Sequence, residues 1–205
     1  EWTGNPVREA ILSLPIPEER YGNRQDRVLH VLVVGGSQGA RVLNQVVPEA
    51  MAELTPDQRP KLLHQCGRDR AQELFARYRE LGIEADVREF IEDMAAAYYE
   101  ADLVVCRAGA MTVAEICAVG LAAVLVPYPY AAGNHQKINA QYLVSQGAAI
   151  ALEESEFSAN LLALTVRKFQ DDRSRLLSIA QKARALGRPD AIGRVTGQCL
   201  EVVSA

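Results

Sequence analysis

Three stretches of this sequence set small residues beside polar ones in a way that suits an anionic, hydroxyl-rich ligand. The first reads Gly35-Gly36-Ser37-Gln38-Gly39-Ala40-Arg41. Glycines let backbone amides approach an anion closely, and a helix opening directly behind them adds the positive end of its dipole. A phosphate or the polar edge of a sugar would suit Gly36, Ser37, Gln38 and Gly39; the same residues also fit a tight strand-to-helix turn that binds nothing. The second stretch is Cys106-Arg107-Ala108-Gly109-Ala110-Met111-Thr112-Val113-Ala114-Glu115. Past Gly109, amides at Ala110, Met111 and Thr112 would face a pyrophosphate, with Glu115 one turn further on to accept hydrogen bonds from both ribose hydroxyls. Thr112-Val113-Ala114-Glu115 equally satisfies a capping box, in which the glutamate only closes the helix end.

The third stretch is Pro127-Tyr128-Pro129-Tyr130-Ala131-Ala132-Gly133-Asn134-His135-Gln136-Lys137-Ile138-Asn139. Gln136 and Asn139 are three apart, so a helix starting near His135 puts them on one face, as suits amide recognition of sugar hydroxyls. His135 is placed to touch a ligand but has no partner that would make a catalytic dyad. Between the first two stretches lies Arg88-Glu89-Phe90-Ile91-Glu92-Asp93-Met94. Phe90 can cover a flat base while the Ile91 backbone offers the donor and acceptor that distinguish uracil; the pair also reads as plain core. His30 and His64 fall in apparent strands and are expected to be structural, and Glu153-Glu154 and Asp171-Asp172 to be solvated faces or helix starts.

The elements that must carry these stretches alternate. An apolar, β-branched run at 28–34 predicts a strand, the glycines a turn, and Leu43, Val46, Val47, Ala50 and Leu54 a helix over 40–54. Strands follow at 61–65, 85–88, 103–106, 122–126 and 149–152, with helices at 68–81, 94–100, 112–119 and 135–146, and helical sequence from 158 onward. This alternation predicts an α/β fold, a doubly wound parallel sheet of Rossmann-like form, whose ligands bind beyond the carboxyl ends of the strands. The loops after Val34, Arg88, Cys106 and Val126 are therefore the places to look. Residues 1–24, with Pro6, Pro15 and Pro17 and no sustained periodicity, read as a linker and lead-in arriving from something upstream; 25–205 read as one domain with C-terminal helices.

Bulk properties exclude several classes. The 205 residues carry a formal charge of -4, which gives no general attraction for nucleic acid, so a phosphate must be held locally. Cys66, Cys106, Cys117 and Cys199 show neither zinc-ligand nor disulfide-framework spacing, and free thiols in a reducing cytosol are expected. No apolar run approaches the roughly 20 residues that span a bilayer. The first glycine loop is not G-x-G-x-x-G, lacks the Lys-Ser/Thr of a P-loop, and the second strand ends His64-Gln65-Cys66 without an acid for a ribose. Nor is there an Asp-x-Asp to hold a metal with a nucleotide.

Taken in order, the glycine stretch at 35–41, Phe90-Ile91-Glu92-Asp93-Met94, Gly109-Ala110-Met111-Thr112-Val113-Ala114-Glu115 and His135-Gln136-Lys137-Ile138-Asn139-Ala140 resemble the MurG glycosyltransferases, and Gly4-Asn5-Pro6-Val7-Arg8 resembles that family's interdomain linker. The likeness covers essentially the whole chain. It implies the C-terminal, donor-binding domain of a two-domain GT-B enzyme. Phe90 and Ile91 would hold uracil and Glu115 the ribose. Arg8, Ser37, Ala110, Met111 and Thr112 would surround the pyrophosphate, with Gln136 and Asn139 on N-acetylglucosamine. Many relatives carry Ser where this chain has Ala108, which matters little to a loop that works through amides. The implied partners are UDP-N-acetylglucosamine and, through an absent N-terminal domain, a lipid-linked acceptor at the cytoplasmic membrane face. The implied reaction is inverting and needs no metal or cofactor, with the base on the absent domain. A UDP-N-acetylglucosamine epimerase and a non-catalytic UDP-sugar-binding module are the alternatives; an NAD-dependent oxidoreductase is disfavoured by the glycine spacing.

Overall fold

A computed structural model describes residues 3–22, 24, 27–36 and 39–204. Ser37 and Gln38 lie outside the described residues. Six strands, β1 (His30–Val34), β2 (Lys61–Gln65), β3 (Asp86–Arg88), β4 (Leu103–Cys106), β5 (Ala122–Leu125) and β6 (Ile150–Ala151), form one sheet in the order β3-β2-β1-β4-β5-β6. Every pairing is parallel. All residues of β4 and β5 are buried; because side chains alternate between faces, this requires cover on both sides of the sheet. The cover is helical. α3 (Arg41–Ala52) packs on α4 (Ala71–Glu80) and α8 (Ala159–Asp171), and α6 (Ala110–Val119) packs on α7 (His135–Ser145) and α9 (Arg173–Ala185).

The strand order reverses between β1 and β4. Val34, the last residue of β1, pairs with Cys106, the last of β4, so the glycine corner after one and the Ala108-Gly109 corner after the other start on adjacent strands, about 4.8 Å apart. This is the switch point at which an open α/β sheet binds ligands.

Several boundaries differ from the periodicity. The helix expected from 68 starts at Ala71, because Gly67 and Asp69 both sit in the left-handed region, with φ of 88° and 59°, and hold the chain out of a helix. The helical tail is broken twice. Asp172 caps α9 by accepting from the Arg175 amide, and Gly187-Arg188-Pro189 separates α9 from α10 (Ala191–Ser204).

The lead-in is also structured. It carries α1 (Glu9–Leu12) and α2 (Pro17–Gly22), and buries Val7, Ile11 and Tyr21 in the domain's core. Tyr21 accepts from the Ala122 amide and donates to the Asp102 carbonyl, stitching α2 to β4 and β5. Arg20, also buried, donates to the carbonyls of Val119 and Gly120 and so closes the carboxyl end of α6. At the amino ends of the strands, buried Asp102 accepts from Arg27 and the His30 amide and lies 3.5 Å from Arg24 and 3.7 Å from Arg173. That cluster is a full sheet's length from the carboxyl-end loops.

Candidate nucleotide-sugar site

The first corner is shaped by close packing. Gly39 has φ 71°, and a Cβ there would stand 2.1 Å from the Cys66 carbonyl oxygen, so glycine is obligatory. The corner's Gly35, Gly36 and Gly39 amides have partners within the fold. The Gly35 amide donates to the Gln65 carbonyl, that of Gly36 to Gln65 Oε1, and that of Gly39 to the Gly36 carbonyl. In this conformation the Gly36 and Gly39 amides build the turn.

The second corner has donors to offer. Gly109 is the N-cap of α6, and the first internal helix bond runs from the Val113 amide to the Gly109 carbonyl. The amides of Ala110, Met111 and Thr112 have no described acceptor, and Ala110 and Met111 are exposed. A Cβ on Gly109 would meet nothing nearer than the Thr112 hydroxyl at 3.8 Å, which leaves open space in front of the amides. Partial positive charge at a helix start, facing space, favours an anion.

Glu115 is not a capping-box residue. The helix begins two residues before Thr112, its N-cap bonds no side chain, and the Glu115 carboxylate points elsewhere. It accepts from Arg8 at 3.1 Å and from the buried Tyr98 hydroxyl at 2.9 Å. Burial, with Glu115 second, pushes the Tyr98 hydroxyl well above its usual pKa, so it stays a donor. Arg8 thus meets Glu115 while remaining exposed. Arg8 also shares a cleft of about 310 Å³ with Met94, the first residue of α5 (Met94–Glu100).

Phe90 and Ile91 part company. Phe90 stands 67% exposed after β3, whereas the Ile91 side chain is buried in the core. An exposed aromatic at a strand's carboxyl end can stack on a base. In the third loop the amides proposed to read a sugar also have protein partners: Gln136 accepts from the Tyr128 amide and Asn139 donates to the Ala108 carbonyl. These bonds draw the third loop and α7 towards the second corner. Ala110 and Asn139 line a largely apolar cleft of about 390 Å³ beside α6. His135 Nδ1 lies 2.7 Å from the Ala132 carbonyl and has no dyad partner among the described residues.

Sequence reasoning missed Gln65, Tyr98 and Arg107. Arg107 donates to the Val126 and Pro127 carbonyls, lies over the Tyr128 ring and pairs with Glu154 at 2.5 Å. Glu153 is exposed, as expected of a solvated face, and pairs with Lys137, whereas Glu154 is partly buried against Arg107. His64 is structural as expected: Asn44 Oδ1 can only accept, so His64 Nε2 carries the proton and Nδ1 accepts from Tyr78. Burial holds its pKa down at about 3. The Cys106 and Cys117 thiols are pushed up to about 12 by burial and are not nucleophiles at neutral pH.

Comparison with known proteins supplies the family and agrees with the fold. Residues 30–195 match the glycosyltransferase family 28 C-terminal domain. The UDP-N-acetylglucosamine–N-acetylmuramyl-(pentapeptide) pyrophosphoryl-undecaprenol N-acetylglucosamine transferase of Nitrosococcus oceani is 52% identical over 204 residues, covering 100% of this chain and 56% of the relative. The protein of the same name from Marinobacter nauticus is 48% identical over 202 residues, with 98% and 55% covered. The crystal structure of Acinetobacter baumannii MurG superposes with a TM-score of 0.83 at 36% identity, covering 96% of this chain and 57% of that one. The chain thus spans a little over half the length of the relatives it matches. With the parallel sheet, the switch point between β1 and β4 and the open amide corner of α6 in place, the chain belongs to the glycosyltransferase family 28 C-terminal domain family.

Proposed function

We propose that this chain holds UDP-N-acetylglucosamine as the donor for transfer of N-acetylglucosamine to the C4 hydroxyl of undecaprenyl-pyrophosphoryl-N-acetylmuramoyl-pentapeptide in peptidoglycan synthesis. The observation that carries it is the unpaired first turn of α6, open at Gly109, beside Glu115 and next to the glycine corner of β1. The amides of Ala110, Met111 and Thr112 take the pyrophosphate, Glu115 the ribose hydroxyls, and Phe90 with the Ile91 backbone the uracil. Arg8, released from Glu115, turns to the phosphates; Gln136 and Asn139 face the sugar.

The transfer is inverting: the acceptor hydroxyl forms a bond to the anomeric carbon as the bond to the UDP oxygen breaks, and UDP leaves with the electron pair. Negative charge grows on that pyrophosphate, and fixed amides at a helix start stabilise it without reorganising, which is a large catalytic term in such sites. The base that takes the hydroxyl proton, and the lipid-linked acceptor, belong to a preceding domain at the cytoplasmic face of the membrane. No metal or cofactor takes part, so chelation is expected to leave donor affinity unchanged.

Calorimetric titration with UDP-N-acetylglucosamine, UDP-glucose, a thymidine-diphosphate sugar and NAD tests this. The first should bind tightest, and the 205-residue chain alone should transfer no sugar. Preference for NAD, inversion at C2 of the donor, or transfer by this chain alone would each overturn the assignment.

A further inference from the structure

We infer that Gln65 is a positioning residue that holds the first glycine corner and the Phe90 segment in one register, so that Phe90 meets the base of a nucleoside diphosphate whose phosphates, held by α6, lie beside that corner. Gln65 is the last residue of β2, which lies between β1 and β3, and its backbone is in register with Val34 on one side and Arg88 on the other. The glycine corner and the Phe90 segment leave the two outer strands of this trio, about 10 Å apart and too far for direct backbone contact. One side chain from the middle strand spans that gap. Gln65 Oε1 accepts from the Gly36 amide at 3.0 Å, while Nε2 donates to the Gly36 carbonyl at 2.9 Å and to the Glu89 carbonyl at 2.9 Å.

The chemistry requires an amide. A side chain here must accept once and donate twice, which glutamine does; glutamate would set a carboxylate oxygen against two carbonyls, and methionine could do neither. Gln65 is buried, so it acts on a ligand only through Gly36 and the segment carrying Phe90. The inference rests on the donor reading above.

Titration of UDP into the chain and its Gln65→Glu and Gln65→Met variants, with thermal midpoints measured alongside, tests it. The UDP dissociation constant should rise about ten-fold or more in folded variants, the size expected when a buried hydrogen-bonded tie is lost. Phe90→Ala should weaken UDP binding in the unsubstituted chain and have little further effect beside Gln65→Met, because the segment it stands on is already out of register. Folded variants that bind UDP normally, or penalties that simply add, would overturn the inference alone. Failure of the unsubstituted chain to bind UDP would overturn the donor reading, and this inference with it. If neither variant folds, hydrogen exchange on the unsubstituted chain decides: the Gly36 amide should be protected as the β1 amides are, and UDP should slow exchange at Gly36 and Ile91 together. Free exchange at Gly36 sinks the inference.

Discussion

Replacing Glu115 by glutamine and by alanine separates its role towards a ligand from its role in the fold. In the structure one carboxylate oxygen accepts from Arg8 and the other from the Tyr98 hydroxyl. Arg8 is 59% exposed, so its ion pair contributes little, about 0–1 kcal/mol. Tyr98 is buried, and Glu115→Ala strands its hydroxyl at a cost of about 1–3 kcal/mol. Glu115→Gln keeps an amide oxygen for Tyr98 and should leave stability within about 1 kcal/mol of the unsubstituted chain. Towards a ribose the two variants are alike in losing the charged acceptor. A hydrogen bond to a charged group contributes about 1.5–3 kcal/mol, which predicts UDP binding roughly 10- to 150-fold weaker in both. Urea unfolding and calorimetry read the two quantities separately. If Glu115→Gln binds UDP as tightly as the unsubstituted chain, while Glu115→Ala merely unfolds at lower urea, the carboxylate is a support for Tyr98 and Arg8 and holds no ribose.

Gly109→Ala adds a methyl group at an extended backbone position with no described atom inside 3.8 Å, so the thermal midpoint should fall by no more than a few degrees while UDP affinity drops at least about ten-fold through obstruction of the diphosphate. Gly39→Ala, by contrast, collides with the Cys66 carbonyl at a left-handed position and is expected to lower stability by several kcal/mol, seen as poor soluble yield or an early urea midpoint. His64 is neutral when folded, with its pKa depressed to about 3 by burial, whereas the unfolded chain takes up a proton as pH falls below about 6.5. The unfolded state then binds more protons, so this histidine's contribution is complete above pH 6.5 and is lost at about 1.4 kcal/mol per unit as pH falls towards 3; urea midpoints at pH 7 and 5 should show a slope that flattens in His64→Gln. Asp102→Ala leaves Arg24, Arg27 and Arg173 without their shared carboxylate and should cost about 3–5 kcal/mol, with UDP affinity unchanged at temperatures where the variant is folded.

How much of this was legible beforehand divides by the range of the interactions involved. The strands at 61–65 and 103–106 and the helix at 94–100 were found at their observed bounds, because short apolar runs and the alternation of strand with helix are local signals. The start of α4 was misplaced because the left-handed turn at Asp69 has no glycine to announce it. Thr112-Val113-Ala114-Glu115 left a cap and a ligand contact equally open. The cap is excluded by where α6 begins, and the carboxylate's actual partners, Arg8 and Tyr98, approach from 107 and 17 residues away. Gln65 and Arg107 gave no signal of their own, since an isolated polar residue at a strand end is ordinary until its neighbours are known.

From the order of residues alone came the alternation of strand and helix, and hence a parallel sheet with small-residue corners at its carboxyl edge. Those features depend on contacts within a few residues, and a linear pattern encodes them directly. Only the tertiary structure decided that the corners of β1 and β4 are neighbours, that the Gly36 and Gly39 amides close a turn while those of α6 stay open, and that Gln65, Tyr98 and Arg107 tie the loops together. Parallel pairing joins residues dozens of positions apart, so which donors remain free is settled only once the sheet has brought every acceptor into place.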